Sequence, residues 1–471
     1  MSGLNRSLGL YDVVSLVIGT IVGADIYIAA SFGAGLLGPF AVFAWLIAGV
    51  MAIIIALCFA ECSSLVPQVG GPYAYAKRAF GNFTGFLAGW SLLIASWSSI
   101  AVFPLAFVAY LDFFIPHMSA ILQIIIKVLF VFFLTVVNYF GVRQAGKAND
   151  ILTILKIAPI LILTIAGIAY FFIKPSLLIA NFTPIAPLGI GGLGSAIVLI
   201  FWAYVGFELV TVPSDEIINS KRTIPLAIGI GMGTIALFYV VTNFVILGLV
   251  PWMELSMSTA PLALAGYTLI GTVGAGFLTI GALLSISGSD EAGILSAARI
   301  PYAMAADGLL PRIFAKVHPK YETPYVALIV QNTVTLIAAI FGTISQLIIL
   351  SVFTLLFCYL LTCISVFPLR KKYNTGGFKL PWIVPVLGVL VALYIMTQCA
   401  PNQIIIGSAL ILLGIPVYVI FAPRTEIKTA RRDLRLGQDY VSQTIERDEI
   451  FLAKFIKQIR ELIIRTRRRF G

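Results

Sequence analysis

The chain of 471 residues is dominated by apolar runs of about 20 residues or more, each long enough to cross a bilayer as a helix. Twelve such runs can be drawn, at about 11–36, 40–66, 83–115, 120–140, 150–173, 193–217, 226–250, 272–306, 323–341, 345–368, 382–400 and 404–422. Runs like these read as a polytopic helical membrane protein with one transmembrane domain. Composition agrees. Hydrophobic residues make up 60% and charged residues 11% of the chain, with mean hydropathy +1.03, against about 25% charged in a soluble domain. The third and eighth runs are longest and are expected to tilt or to extend past the membrane.

Charge sets the expected orientation. Arg6, Lys77, Arg78, Arg143, Lys147, Lys221, Arg222, Arg312, Lys316, Lys320, Arg370, Lys371, Lys372 and Lys379 fall in loops on one side, and Lys174 falls on the other. The positive-inside rule then puts both termini in the cytoplasm of a multi-pass cell-membrane protein. The apolar stretch starting near Leu10 runs on without a small-residue cleavage site, which argues against a cleaved signal peptide. The formal net charge of +11 includes +6 from the tail after Ala422-Pro423. That tail, 424–471, has apolar residues at helical spacing around Ile450, Phe451, Phe455, Ile459, Leu462 and Ile463. It reads either as a solvated, partly helical tail or as a basic amphipathic helix on the anionic inner leaflet. Lipid headgroups account for the positive charge, so no nucleic-acid partner is expected.

Enzymatic chemistry finds no foothold. There is no HExxH, GxSxG or P-loop pattern. Gly189-Ile-Gly191-Gly-Leu-Gly194 matches GxGxxG, but it precedes a membrane run and not the helix of a βαβ unit, so no nucleotide cofactor is expected. The five cysteines, Cys58, Cys62, Cys358, Cys363 and Cys399, lie in apolar runs and are expected as buried thiols, neither disulfides nor metal ligands. Asn181-Phe-Thr183 is a sequon in the outer loop; Asn82-Phe-Thr84 falls on the inner side and is expected to be silent.

The informative positions are two apolar runs interrupted at their centres. One reads Val17-Ile-Gly19-Thr-Ile-Val-Gly23-Ala24-Asp25-Ile-Tyr27, the other Phe201-Trp202-Ala203-Tyr204-Val-Gly206-Phe-Glu208. A carboxylate at membrane depth is costly and marks function by default. Paired glycine-broken runs in corresponding halves point to a transporter's substrate site. A half-helix starting near Gly23 offers amide N–H groups and a positive dipole end, which suit a carboxylate. The half-helix before it offers free carbonyls, which suit an ammonium group. The bland alternative is that Gly19 and Gly23 form a GxxxG packing face.

Four stretches together resemble the amino acid–polyamine–organocation superfamily, of amino acid permease type. Val22-Gly23-Ala24-Asp25-Ile26-Tyr27 is similar to its first-span signature. Ala60-Glu61-Cys-Ser-Ser-Leu-Val-Pro67 with Gly70-Gly71-Pro72-Tyr73-Ala-Tyr75 resembles the region after its second span. The stretch from Phe201 to Pro225, ending Asp215-Glu216-Ile-Ile-Asn219-Ser-Lys221-Arg222-Thr-Ile-Pro225, resembles its sixth span and exit. Ser296-Ala-Ala-Arg299 to Ala305-Ala-Asp307-Gly308-Leu-Leu-Pro311, with Pro324, resembles its eighth span and the loop beyond. The resemblance implies an all-α membrane domain, residues 1–423, with twelve transmembrane helices. In it, inverted repeats at about 11–173 and 193–368 carry broken helices 1 and 6, and peripheral helices follow at 382–422.

It implies a substrate surrounded by Gly23, Ala24, Trp202, Ala203, Tyr204 and Gly206, with Glu208 facing the same place and Trp202 as an aromatic lid or, alternatively, ordinary packing. Lys156, about two turns into the fifth run, is implied as a proton-handling group in place of a sodium ion, with Glu208 beside it; snorkelling to the interface is its alternative. For Lys127 snorkelling is the favoured reading. Asp25 departs from the family pattern, which has glycine there, and Asp290 and Glu291 add acids to the eighth run as secondary candidates. Four acids near midplane call for neutralisation by protons, by Lys156 or by a cationic ligand. The expectation is therefore a secondary transporter of amino acids or related amines, proton-coupled or exchanging. It leans slightly to cationic amino acids or polyamines, with Asp25 and Glu208 contacting the amine. A non-transporting sensor on the same fold is the alternative.

Overall fold

The computed structural model describes residues 8–67, 70–140, 145–211, 217–373 and 378–421, with side chains described for all of these except 145–155. The basic tail 424–471, Arg6, the side chains of Arg143 and Lys147, and the Asp215-Glu216 pair lie outside the described residues. Within them the protein is all helix, with one isolated bridge between Leu8 and Ile217. The helices are α1 (Leu10–Ile21), α2 (Ala24–Leu37), α3 (Ala41–Leu65), α4 (Gly71–Phe80), α5 (Asn82–Ile100), α6 (Val102–Leu111), α7 (Ala120–Phe140), α8 (Ala145–Ile173) and α9 (Pro175–Asn181). There follow α10 (Leu193–Phe201), α11 (Ser220–Leu249), α12 (Trp252–Met257), α13 (Pro261–Ala306), α14 (Tyr325–Phe341), α15 (Ile344–Lys372), α16 (Ile383–Gln398) and α17 (Pro401–Phe421).

Nine of the described helical stretches are long and apolar enough to cross a membrane, and Leu10–Ile21, Tyr325–Phe341 and Ile383–Gln398 are shorter apolar helices. Helix falls on every apolar run read from the sequence. The third run is two helices, α5 and α6, ending at Leu111, short of residue 115. The eighth starts earlier than expected. α13 begins at Pro261 and kinks at Ile270–Gly271, where Gly271 has φ 64°. Its leading segment therefore precedes the expected start at 272. A lone glycine in an apolar run gives no warning of such a turn.

Both interrupted runs are broken in the backbone. α1 ends at Ile21, Val22 is extended, and Gly23 (φ −144°, ψ −146°) opens α2. α10 ends at Phe201 and gives way to a 3₁₀ turn over Trp202–Tyr204, an extended Val205 and Gly206 at φ 127°, before 3₁₀ helix Phe207–Thr211. Only glycine suits Gly206. Its φ is in the region L side chains avoid, and a Cβ there would lie 2.7 Å from the Thr20 carbonyl oxygen. Gly206 thus packs the second break against the first.

α11 packs along α3 and α1, and α13 along α8, α5 and α2, so the breaks sit at the centre of the bundle. Gly281 lets α13 approach α8 at Pro159, where a Cβ would meet the proline ring at 2.6 Å. The five cysteines are free and buried, as the apolar runs predict. Lys127 is buried, and its Nζ reaches the end of a neighbouring helix, donating to the Ala339 carbonyl at 3.1 Å. Ala339 lies in the last turn of α14, whose carbonyls have no intrahelical donor and whose dipole end is negative.

Candidate functional site

The two breaks and helices α5, α6, α13 and α15 line a partly open cavity of about 100 Å³. Gly23, Asp25, Trp202, Gly206 and Glu208 line it. Ala24, Ala203 and Tyr204 are buried beside it but do not. Tyr204 packs toward α3, its hydroxyl donating to the Trp45 carbonyl at 2.9 Å and its ring lying against Trp45 and Tyr239.

The acids on the two breaks are held in the same way. Asp25 is 5% exposed, and its Oδ1 accepts the Gly23 N–H at 2.8 Å. Glu208 is 4% exposed, and its Oε2 accepts the Gly206 N–H at 3.0 Å and the Tyr359 hydroxyl at 2.6 Å. In each case a carboxylate two residues on satisfies the glycine amide that the broken helix exposes. Asp25 also sits in the first turn of α2, where the helix dipole favours negative charge.

The remaining lining groups were not singled out in the sequence. They include Ser96, Ser99 and Phe103 on α5 and α6, Ser289 and Gly293 on α13, and Ser351 and Leu355 on α15. The signal was there, as hydroxyls within apolar runs, but serines bonded to their own helix carry the same signature. Ser289 bridges to the first break through the Val22 carbonyl at 3.1 Å. The Trp202 indole N–H donates to Ser99 Oγ at 2.9 Å, and its ring meets Phe103 edge-on at 6.3 Å.

Lys156, Asp290 and Glu291 do not line the cavity. Lys156 lies three turns into α8, deeper than the two expected, because α8 starts at Ala145 and not at 150. Its side chain runs over Gly288, where a Cβ would sit 3.0 Å from Cε. Asp25 and Glu291 are the acids whose charge it feels, but no ion pair joins them. Asp290 is fully buried, and neither carboxylate oxygen has a hydrogen-bond partner. Among the described residues no group of His, Cys, Asp or Glu could hold a metal ion.

A second, larger cavity of about 350 Å³ meets the first at Glu208 and Leu209. Tyr73, Arg299, Tyr302 and Glu322 line it. Near it Lys77 pairs with Asp307 at 2.7 Å, and the Tyr73 hydroxyl donates to the same carboxylate. Further along this face Glu61, fully buried, takes a two-pronged bond from Arg370 and the Leu380 N–H at 3.1 Å, tying α3 to α15 and to the segment before α16.

Relatives match nearly the whole chain in sequence. The chain is 27% identical over 440 residues to the branched-chain amino acid permease BcaP of Bacillus subtilis (strain 168), covering 89% of this chain and 93% of that protein. It is 28% identical over 440 residues to the serine/threonine exchanger SteT of the same organism, covering 88% and 97%. It is 29% identical over 419 residues to the methylthioribose transporter of that organism, covering 83% and 88%. The family model described as amino acid permease matches residues 8–421. With its broken helices and central acidic cavity, the chain belongs to the amino acid permease family.

Proposed function

We propose that the protein is a secondary transporter of amino acids or related amines, working by alternating access at the cavity between the two helix breaks. The observation that carries this reading is the meeting of the breaks at Gly206 and Thr20, with Asp25 and Glu208 lining one cavity. A ligand there reaches the larger cavity by way of Glu208 and Leu209, and closing that route while opening the other face would carry it across. The relatives' names, a permease and an exchanger of amino acids, support the substrate class. In this reading twelve spans form two inverted repeats, 11–173 and 193–368, with peripheral helices at 382–422. Both termini are cytoplasmic in the cell membrane. Lys156 handles charge or protons beside Asp25, and Glu208 shares that role.

The test is uptake of labelled arginine, putrescine, alanine and leucine into proteoliposomes, with and without an inward proton gradient. Saturable uptake with trans-stimulation supports transport by exchange. Binding without flux would instead indicate a sensor, and non-saturating flux a channel.

A further inference from the structure

We infer that the ligand of this cavity is an organic amine cation that carries no carboxylate. The inference rests on the proposed transport reading and narrows its substrate. It follows from an inventory of what the cavity can still bond. An amino acid needs an anion seat as well as an ammonium seat. In a broken-helix site the anion seat is the set of amides at the half-helix start. Here the chain's own acids take most of it: the Asp25 carboxyl draws on the amides of Gly23, Asp25 and Ile26, and Glu208 on those of Gly206 and Glu208.

The other donors are also committed. The hydroxyls of Thr20, Ser96, Ser289 and Ser351 donate to backbone carbonyls at 2.8–3.1 Å, and the Trp202 indole donates to Ser99. No lysine, arginine or histidine lines the cavity. Of the lining side chains, the Ser99 hydroxyl alone keeps a free proton. Acceptors are in surplus. Each carboxylate has about four acceptor sites; Asp25 is met by the amides of Gly23, Asp25 and Ile26, and Glu208 by its own amide, the Gly206 amide and the Tyr359 hydroxyl, which leaves one site to spare on each. Two carboxylates with a spare acceptor site apiece, and almost no donor, suit an ammonium group with three N–H donors. A ligand carboxylate would meet two like charges and could bond a broken-helix amide only by displacing Asp25 or Glu208. The apolar wall, including Ile100, Phe103 and Leu355, takes the rest of a short ligand.

The test compares each amine with its parent amino acid on the full-length protein in proteoliposomes: isoamylamine against leucine, and agmatine against arginine. Uptake of each labelled probe and its competition by the partner are measured. The amine of each pair is expected to be preferred by about tenfold or more, the scale of one charged hydrogen bond. Asp25→Asn keeps an oxygen for Gly23 N–H but removes the charge, and it is expected to weaken the amines by a similar factor. Glu208→Gln is the second variant, should Asp25→Asn fail to assemble, with the same expectation. Parent amino acids preferred over their amines, or amine affinity unchanged in both variants, would overturn the inference while leaving transport standing. No saturable uptake of either member of any pair would bring down the transport reading with it.

Discussion

Replacing Arg370 with methionine isolates one buried charge. Glu61 is 0% exposed, whereas the Arg370 side chain is 21% exposed. The guanidinium meets both carboxylate oxygens and also donates to the Leu380 carbonyl at 2.8 Å. Without it, Glu61 keeps one described donor, the Leu380 N–H. Breaking a fully buried pair costs about 3–5 kcal/mol through the charge left behind. The partial exposure of Arg370 lets water reach the gap, which places the expected loss at the lower end, about 3 kcal/mol. Glu61→Gln leaves an acceptor for the same donors and no stranded anion, so its cost is about 1 kcal/mol. The double variant Glu61→Gln with Arg370→Met removes the stranded charge and should recover most of the Arg370→Met loss. The assay is thermal unfolding of detergent-purified protein followed by monodispersity, at one scan rate because such unfolding is kinetically controlled. Arg370→Met should melt several degrees below wild type, with the double variant above it. Arg370→Met melting with wild type, or a double variant no better than Arg370→Met, would refute the stranded-charge reasoning.

Three other substitutions test the site. Gly206→Ala forces a side chain into positive φ and against the Thr20 carbonyl, so about 3 kcal/mol of destabilisation and loss of uptake are expected; near-normal uptake would show that the breaks need not touch there. Trp202→Phe removes the bond to Ser99 but keeps a ring beside Phe103, and apparent affinity should fall about three- to tenfold with little change in melting; unchanged affinity would reduce Trp202 to packing. Lys156→Gln should abolish stimulation of uptake by an inward proton gradient while leaving counterflow, and gradient stimulation that survives the change would remove Lys156 from proton handling.

What could be read from the sequence was what hydrophobicity and glycine encode locally. The apolar runs foretold the helices, and Gly23 and Gly206 marked breaks, because no other residue allows φ 127° at the second one. Asp25 and Glu208 stood out as acids in apolar surroundings. The pairing of each acid with the glycine two residues before it was not foreseen, although it is local, because it depends on how each break turns. The Tyr359 bond to Glu208 joins residues 151 positions apart and leaves no mark in the chain. The partner of Lys127 was hidden in the same way, since the packing of α7 on α14 is what brings the Ala339 carbonyl within reach. The start of α8 was set five residues late because its polar first turns, Ala145 to Asp150, look like loop.

The most direct measurement is a structure with the best-transported probe of the amine and amino acid pairs bound. The account predicts ligand density between Asp25, Glu208, Ser99 and Trp202. Its ammonium group should lie about 3 Å from Asp25 Oδ2 or Glu208 Oε1, with the Gly23 N–H still on Asp25. A ligand carboxylate on the Gly23 amide with Asp25 displaced, or a ligand lodged beside Arg299 in the larger cavity, would contradict it.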